Sequence, residues 1–212
     1  MKTILFAVLA LVLGCLASNY QRTEYVITVD DTLALEQLGP QAADTQYHDG
    51  IRPLHIACDI GTIASIRTLV RKGVTVTVFN ARDRTPLDIC VEKQRLDCVA
   101  ELLRAGARPD SLMGSYNSGT TLFKAINTRN LAIVELLLKA GSSLRISNYD
   151  GETPFLVAAC SANPAILKLL LKNGADLRQI DEDDIDALHN AKSCKNKENE
   201  AFLKPLFKEV KK

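Results

Sequence analysis

The chain has 212 residues, a hydrophobic fraction of 47% and a formal charge of +1. A nucleic-acid-binding protein usually carries a large cationic excess, because neutralising phosphates supplies much of its affinity, so this charge disfavours that class. The hydrophobic fraction suffices for a continuous core and excludes a chain that is disordered throughout. With no Trp and an aromatic content of 5%, the composition favours close helix-on-helix packing over an aromatic-rich β-sandwich.

The first predicted element is a secretory signal peptide at residues 1–17. Lys2 supplies a positive charge, an apolar run extends from Ile4 to Leu13, and small residues such as Ala17 follow it. The run is too short to cross a bilayer, which takes about 20 apolar residues. We therefore expect the mature chain to work outside the cytosol.

Two cleavage sites remain open for this segment. Cleavage after Ala17 would give a soluble exported protein. Alternatively, Val12-Leu13-Gly14-Cys15 resembles the lipobox of bacterial lipoproteins, in which the cysteine becomes the acylated first residue, although that pattern prefers a smaller residue than Leu13. Lipidation of Cys15 would anchor the chain to a membrane of the bacterial cell envelope, because several acyl chains bind a bilayer where one binds only marginally. Without lipidation, the chain would be a soluble protein of the periplasm or a secreted protein.

A repeat of about 33 residues organises the rest of the chain. One marker is the residue that opens each predicted first helix: Pro53, Pro86, Thr121, Pro154 and Ala187. These positions are separated by 33, 35, 33 and 33 residues. A second marker is the glycine that ends each second apolar run: Gly73, Gly106, Gly141 and Gly174. Its spacings of 33, 35 and 33 reproduce the same two-residue insertion.

Each unit predicts a pair of helices. Thr85 and Thr153 are suited to cap a helix through their hydroxyl groups, and the Pro that follows each of them suits the first helical turn. The second helix carries Val and Leu at spacings of three and four residues. The glycine after it provides the left-handed conformation of a helix C-cap.

These units resemble ankyrin repeats in the phrases Thr85-Pro86-Leu87, Leu54-His55 with Ala57, and Leu102-Leu103 with Gly106-Ala107. The resemblance implies an all-α ankyrin-repeat solenoid of stacked helix-turn-helix pairs with β-turn fingers, whose fingers and first helices form a concave face. We predict four repeats, at 50–82, 83–117, 118–150 and 151–183. Residues 18–49 are predicted to be a tether and the remnant of an N-terminal cap, and residues 184–212 a degenerate C-terminal capping repeat.

The sequence offers no catalytic, cofactor-binding or metal-binding pattern. His55 and His189 occupy the His position of the ankyrin phrase, where the family uses the residue structurally. No Cys-x-x-Cys, His-Glu-x-x-His or Gly-rich phosphate loop occurs. We therefore expect neither an enzyme nor a cofactor, and a protein partner rather than a nucleic acid or a small-molecule substrate.

The cysteines beyond Cys15 divide into two sets. Cys58, Cys90 and Cys98 fall in small or apolar positions of the repeat and are predicted to be buried thiols. Cys160 and Cys194 fall at adjacent variable positions of consecutive first helices, where an oxidising compartment permits a disulfide. Stacked helices lie about 8–10 Å apart, farther than the 7 Å that a bridge allows between Cα atoms, so this bond stays open.

Ankyrin arrays bind proteins, so the candidate contact residues are finger-tip and first-helix positions whose identity packing does not explain. These candidates are Asn80, Arg82, Arg84, Tyr116, Asn117, Tyr149 and Asp150 on the tips, and Asp59, Ile60, Glu92, Lys93, Asn127 and Thr128 on the helices. Three functions remain open: an adaptor of the cell envelope, an immunity protein that occludes a toxic or lytic enzyme, and a structural or stress-related envelope component.

Overall fold

The computed structural model describes Glu24, Val26, Ile27 and residues 32–60, 62–112 and 119–209. Over these residues the fold is helical, with a short 3-10 turn at His48–Gly50 and no β-strand. The helices are α1 (Thr32–Gln37), α2 (Pro40–Ala43), α3 (Pro53–Ile60), α4 (Ile63–Arg71), α5 (Pro86–Glu92), α6 (Leu96–Arg104), α7 (Thr121–Asn127), α8 (Leu131–Lys139), α9 (Pro154–Ser161), α10 (Pro164–Lys172), α11 (Ala187–Ser193) and α12 (Lys197–Glu209). The signal peptide, with its lipidation candidate Cys15, and the tip candidates Tyr116 and Asn117 lie outside the described residues.

Helices α3 to α12 form pairs that stack in chain order. First helices pack on the first helices of the neighbouring pairs, and second helices pack on second helices. At the N-terminal end, α1 packs on α4, where a preceding repeat would place its second helix. None of the helices described is long and apolar enough to cross a membrane.

The helix starts follow the predicted capping in part. Thr85 forms a capping box: its hydroxyl accepts the N–H of Asp88, and the Asp88 carboxylate accepts the N–H of Thr85. Thr153 makes no such bond, so the capping predicted for it is wrong. Its repeat has Leu156 three positions later, where Asp88 completes the box of the second repeat.

The turns between repeats depend on left-handed backbone conformations. Gly106, which ends α6, has φ of +88°, as the C-cap prediction requires. Asp83 adopts φ of +53° in a turn position where other repeats use glycine, which its short polar side chain permits. These turns close the helix pairs and project the fingers to one side.

The core is continuous along the whole stack. One position of the first helices of the four repeats is essentially fully buried: Leu54, Leu87, Leu122 and Phe155. Another position carries the small residues Ala57, Cys90, Ala125 and Ala158, all with no exposed surface. Because each unit shares its apolar face with its neighbours, no repeat would be stable alone.

The closing repeat is fastened to α9 by hydrogen bonds and a disulfide. The side-chain amide of Asn199 donates to the carbonyl oxygens of Ala158, Ala159 and Ala162 at 3.0–3.1 Å. Cys160 and Cys194 form a disulfide, with their Cα atoms 5.4 Å apart. The two Cα atoms lie closer together than the axes of stacked helices because Cys194 follows the end of α11 instead of lying within it.

The other described cysteines, Cys58, Cys90 and Cys98, are buried thiols that form no disulfide. Hydrogen bonding to the Cys58 thiol raises the pKa of Cys90, and hydrogen bonding to Cys90 raises the pKa of Cys98. A buried thiol that stays protonated is a poor nucleophile. This cluster therefore acts as packing.

Candidate functional site

The fingers and first helices form a depression of about 290 Å³ at the start of the array, which we call the N-terminal concavity. Its lining comes from the first two fingers and from helices α3 and α5. The lining residues are Glu24, Asp49, Ile51, His55, Ile56, Asp59, Ile60, Asn80, Arg82, Arg84 and Ile89. The predicted contact residues Asp59, Ile60, Arg82 and Arg84 are therefore brought together.

The floor of the concavity is apolar and fixed. Ile56 and Ile89 are buried, whereas Ile51 and Ile60 are partly exposed and available to a partner. An apolar floor surrounded by charged groups is the arrangement in which protein interfaces place their anchoring side chains. The concavity is thus suited to receive a side chain of another protein.

His55 holds the floor to the next finger. Its Nδ1 accepts the backbone N–H of Arg52 at 3.1 Å, and its Nε2–H donates to the carbonyl oxygen of Arg84 at 3.2 Å. Burial lowers the pKa of His55, so the imidazole is neutral at pH 7. These two hydrogen bonds to the backbone are the structural role predicted for His55.

Asn80 is a structural residue of the finger, and its prediction as a contact residue is wrong. Its side chain is buried, and its Oδ1 accepts the backbone N–H groups of Arg82 and Arg84 at 2.9 and 3.1 Å. Asn148 and Asp181 make the same pair of bonds in later fingers. An Asn or Asp at this one repeat position was the sequence signal for a turn-forming residue.

Ion pairs neutralise most of the charge beside the concavity. Arg84 binds Glu92 at 2.7 Å, and Lys93 binds Asp59 at 3.1 Å across neighbouring first helices. The four side chains are 31–59% exposed, and ion pairs at the protein surface contribute only about 0–1 kcal/mol each. They can therefore be exchanged for contacts with a partner at little cost.

Arg82 differs from these residues because it forms no ion pair with any residue that the structure describes. It is exposed at the tip of its finger, where Asn80 fixes the backbone. Arg is enriched among the residues that dominate interface energies. Among the candidate contact residues at the concavity, Arg82 is the exposed charged residue that would break no ion pair among the described residues on binding a partner.

The remaining described candidates lie outside the concavity. Tyr149 is 78% exposed and stands beside Asp150 at the tip of a later finger. Asn127 is exposed at the end of α7, whereas the Thr128 hydroxyl donates to the carbonyl oxygen of Ala125 at 2.8 Å. Thr128 therefore has a local structural role, and its prediction as a contact residue is weakened.

Sequence reasoning missed Asp49. This residue lies 33 positions before Arg82 and is exposed at the equivalent place of the preceding finger. The same register places Asp150 and Asp183 on later tips. Extending the repeat by one finger would have found it.

His189 is exposed, so the structural role predicted for it is wrong. Its backbone N–H donates to Asp186, but no described finger follows its repeat for the imidazole to bind. Within the part of the chain that the structure describes, no cluster of His, Cys, Asp and Glu is arranged to hold a metal ion.

The chain matches the family model described as ankyrin repeats, in three copies, over residues 27–113 and 109–181. It is 37% identical over 92 residues to BRCA1-associated RING domain protein 1 of Caenorhabditis elegans, covering 42% of this chain and 12% of that protein. It is 30% identical over 100 residues to ankyrin repeat and SOCS box protein 11 of Mus musculus, covering 47% and 30%. The chain thus spans less than a third of these relatives.

A solved structure matches nearly the whole chain. This is the complex of the Bd0816 predatory endopeptidase from Bdellovibrio bacteriovorus with the immunity protein Bd3460. The TM-score is 0.74 at 25% identity, covering 86% of this chain and 96% of the matched immunity protein. The fold, the repeat spacing and the family match lead to one conclusion: the chain belongs to the ankyrin-repeat family.

Proposed function

We propose that this protein is an immunity protein that binds an exported peptidase and occludes its active site. The match to an immunity protein solved in complex with an endopeptidase carries the proposal, since that match covers 86% of this chain and 96% of the other. Partial matches to longer relatives support only the general role of ankyrin repeats in binding proteins.

The proposed compartment is the bacterial cell envelope. A signal peptide, with Cys15 as the site of lipidation, would export the chain and hold it at a membrane. The Cys160–Cys194 disulfide supports this assignment, because disulfides persist in oxidising compartments and are rare in the cytosol. An inhibitor placed there would meet an exported enzyme before that enzyme reached the cell wall.

The proposed docking surface is the N-terminal concavity with Arg82 on its rim. Its apolar floor would receive a side chain of the peptidase, and the exposed pairs Arg84–Glu92 and Asp59–Lys93 would rearrange around it. Tyr149 and Asp150, exposed at the tip of a later finger, are the residues we propose as a second part of the docking surface. No catalytic group is needed for this action, because covering an active site is sufficient.

A photo-crosslinking amino acid at position 82 tests the surface in living cells. We expect it to capture one exported enzyme, identified by mass spectrometry, whereas the same amino acid at Lys172 on the exposed side of α10 captures none. The captured enzyme is then purified and assayed with and without the protein.

The activity assay separates the three functions. An immunity protein abolishes the activity of the captured enzyme at nanomolar concentration. Capture of a partner whose activity is unchanged would contradict inhibition and leave an adaptor, and no capture from either position would leave a structural component of the envelope.

A further inference from the structure

The last repeat carries a second depression, of about 360 Å³, between α11 and α12. We call it the C-terminal depression. Its lining residues are Asp186, Leu188, His189, Lys192, Lys204, Phe207 and Lys208. It shares no residue with the N-terminal concavity.

Two of its lysines replace apolar residues of the other repeats. The positions that correspond to Lys192 hold fully buried side chains in the four preceding repeats: Cys58, Val91, Ile126 and Ala159. The positions that correspond to Lys204 hold partly buried side chains that pack on the core: Val70, Leu103, Leu138 and Leu171. The surface that stacks on the next unit elsewhere is therefore cationic here.

The apolar part of that stacking surface is retained beneath the lysines. Leu188 corresponds to the buried position of Leu54 and Phe155, and here it is only partly buried. Phe207 of α12 is also partly exposed and packs against the edge of the core. Apolar side chains and lysines therefore line the same depression.

The charge in the C-terminal depression is not balanced. Lys192, Lys204 and Lys208 take part in none of the ion pairs among the described residues, although lysines elsewhere, such as Lys93 and Lys124, do. The single lining carboxylate, Asp186, is engaged in capping α11, where its Oδ1 accepts the N–H of His189 at 2.7 Å. A capping surface that served only solubility would mix both signs of charge.

We infer that the C-terminal depression binds a phosphate group that is carried on an apolar body, as in the head group of an anionic phospholipid. Three ammonium groups supply the positive charge, and lysine binds phosphate as a point charge without needing the fork of arginine. Leu188 and Phe207 contact the carbon beside the phosphate. The inference is independent of the proposed peptidase.

Co-sedimentation with lipid vesicles tests this site. The full-length chain is compared with a Lys192→Gln, Lys204→Gln, Lys208→Gln variant on vesicles of phosphatidylcholine with phosphatidylglycerol and of phosphatidylcholine alone. Both proteins carry the same N-terminal segment, so any contribution from it cancels. We expect the variant to lose roughly 100-fold in affinity for the anionic vesicles, since each lysine near such a surface contributes about 5-fold.

A matched variant controls for net charge. Lys139, Lys168 and Lys172 are exposed on the second helices α8 and α10 and do not line the depression, and their replacement by Gln removes the same charge. This control is expected to keep nearly all of the binding to anionic vesicles. Equal losses in the two variants would overturn the site in favour of unspecific charge.

Soluble probes identify the source of the phosphate. Shifts of the Lys192 and Lys204 amide resonances with inorganic phosphate, without vesicle binding, would support the site but assign it a soluble phosphate ester. Shifts with a polyglutamate peptide but not with phosphate would overturn the inference and point to a protein partner. No response to any probe would also overturn it.

Discussion

The junction between the second and third repeats and the junction between the fourth and closing repeats are held together by different chemistry. In the earlier junction, the buried Asp88 carboxylate accepts the Thr121 hydroxyl at 2.7 Å and the Lys124 ammonium at 3.0 Å. In the later junction, Asn199 donates to main-chain carbonyls and the Cys160–Cys194 disulfide links the two repeats.

The difference shows which solution condition the stability of each junction depends on. A largely buried ion pair depends on both partners, because removing either one leaves the other as a poorly solvated, unpaired charge. An amide clamp is neutral, and a disulfide depends on the redox state of the compartment. The stability of the junction between the second and third repeats thus depends on the Asp88–Lys124 charges, and the stability of the C-terminal end depends on whether the disulfide is reduced.

Replacing Asp88 with Ala is expected to have the largest effect. The change leaves Lys124 and Thr121 without their buried partner and removes the capping box of α5. We expect a loss of about 3–5 kcal/mol in the free energy of unfolding, measured by urea denaturation. Asp97→Ala in the exposed first turn of α6 is the control, and an equal loss there would contradict the account.

Removing the disulfide is expected to have the next largest effect. The bridge closes a loop with a sequence separation of 34, for which constraint of the unfolded chain predicts a contribution of about 2–4 kcal/mol. A Cys160→Ser, Cys194→Ser variant should lose this stability, and hydrogen exchange should speed up in α11 and α12 before α3 to α8. The stability of a Cys58→Ser variant should still fall when dithiothreitol is added, because this variant keeps the disulfide. Uniform loosening of all repeats would refute a role confined to the C-terminal end.

Acidification is expected to have the third largest effect, at the contact between His55 of the first repeat and the finger of the second. Because burial depresses the pKa of His55 below its ordinary value of about 6.5, its stabilisation is present above that value and is lost as pH falls toward the folded pKa. The free energy of unfolding should then fall by at most about 1.4 kcal/mol per pH unit. His55→Gln should flatten this slope, and an unchanged slope in the variant would show that His55 is not its source.

Relieving backbone strain at one loop is expected to have the smallest effect. Gln94 adopts φ of +56°, a left-handed conformation that costs non-glycine residues about 1 kcal/mol. Part of this cost is offset by the greater unfolded-state entropy of glycine, so Gln94→Gly should raise stability by about 0.5 kcal/mol. Lys172→Gly at the end of α10 should instead lower the free energy of unfolding, measured by urea denaturation. A loss of stability in both variants would contradict the claim that the backbone at Gln94 is strained.

The repeat spacing predicted the fold because core burial requires it. Leu54, Leu87, Leu122 and Phe155 recur at intervals of 33, 35 and 33 residues, so each predicts a buried contact with the next unit. The closest approach of Cys160 and Cys194 could not be predicted in this way, because it depends on where α11 ends rather than on helix spacing.

The candidate site was less predictable than the fold. Asn80 looks like an exposed tip residue in sequence, yet its amide oxygen is used within the turn. Asp88 occupies the His position of its repeat, and its bond to Lys124 depends on a side chain from the next unit. Contacts between units are set by three-dimensional packing and leave no short sequence motif.

Titration of the captured peptidase with the purified protein is the most direct test of the central claim, that the N-terminal concavity occludes an enzyme. The account predicts that activity falls linearly to zero at one equivalent, and that Arg82→Glu raises the concentration needed while Lys172→Glu does not. Full activity at a saturating excess, or equal inhibition by both variants, would contradict it.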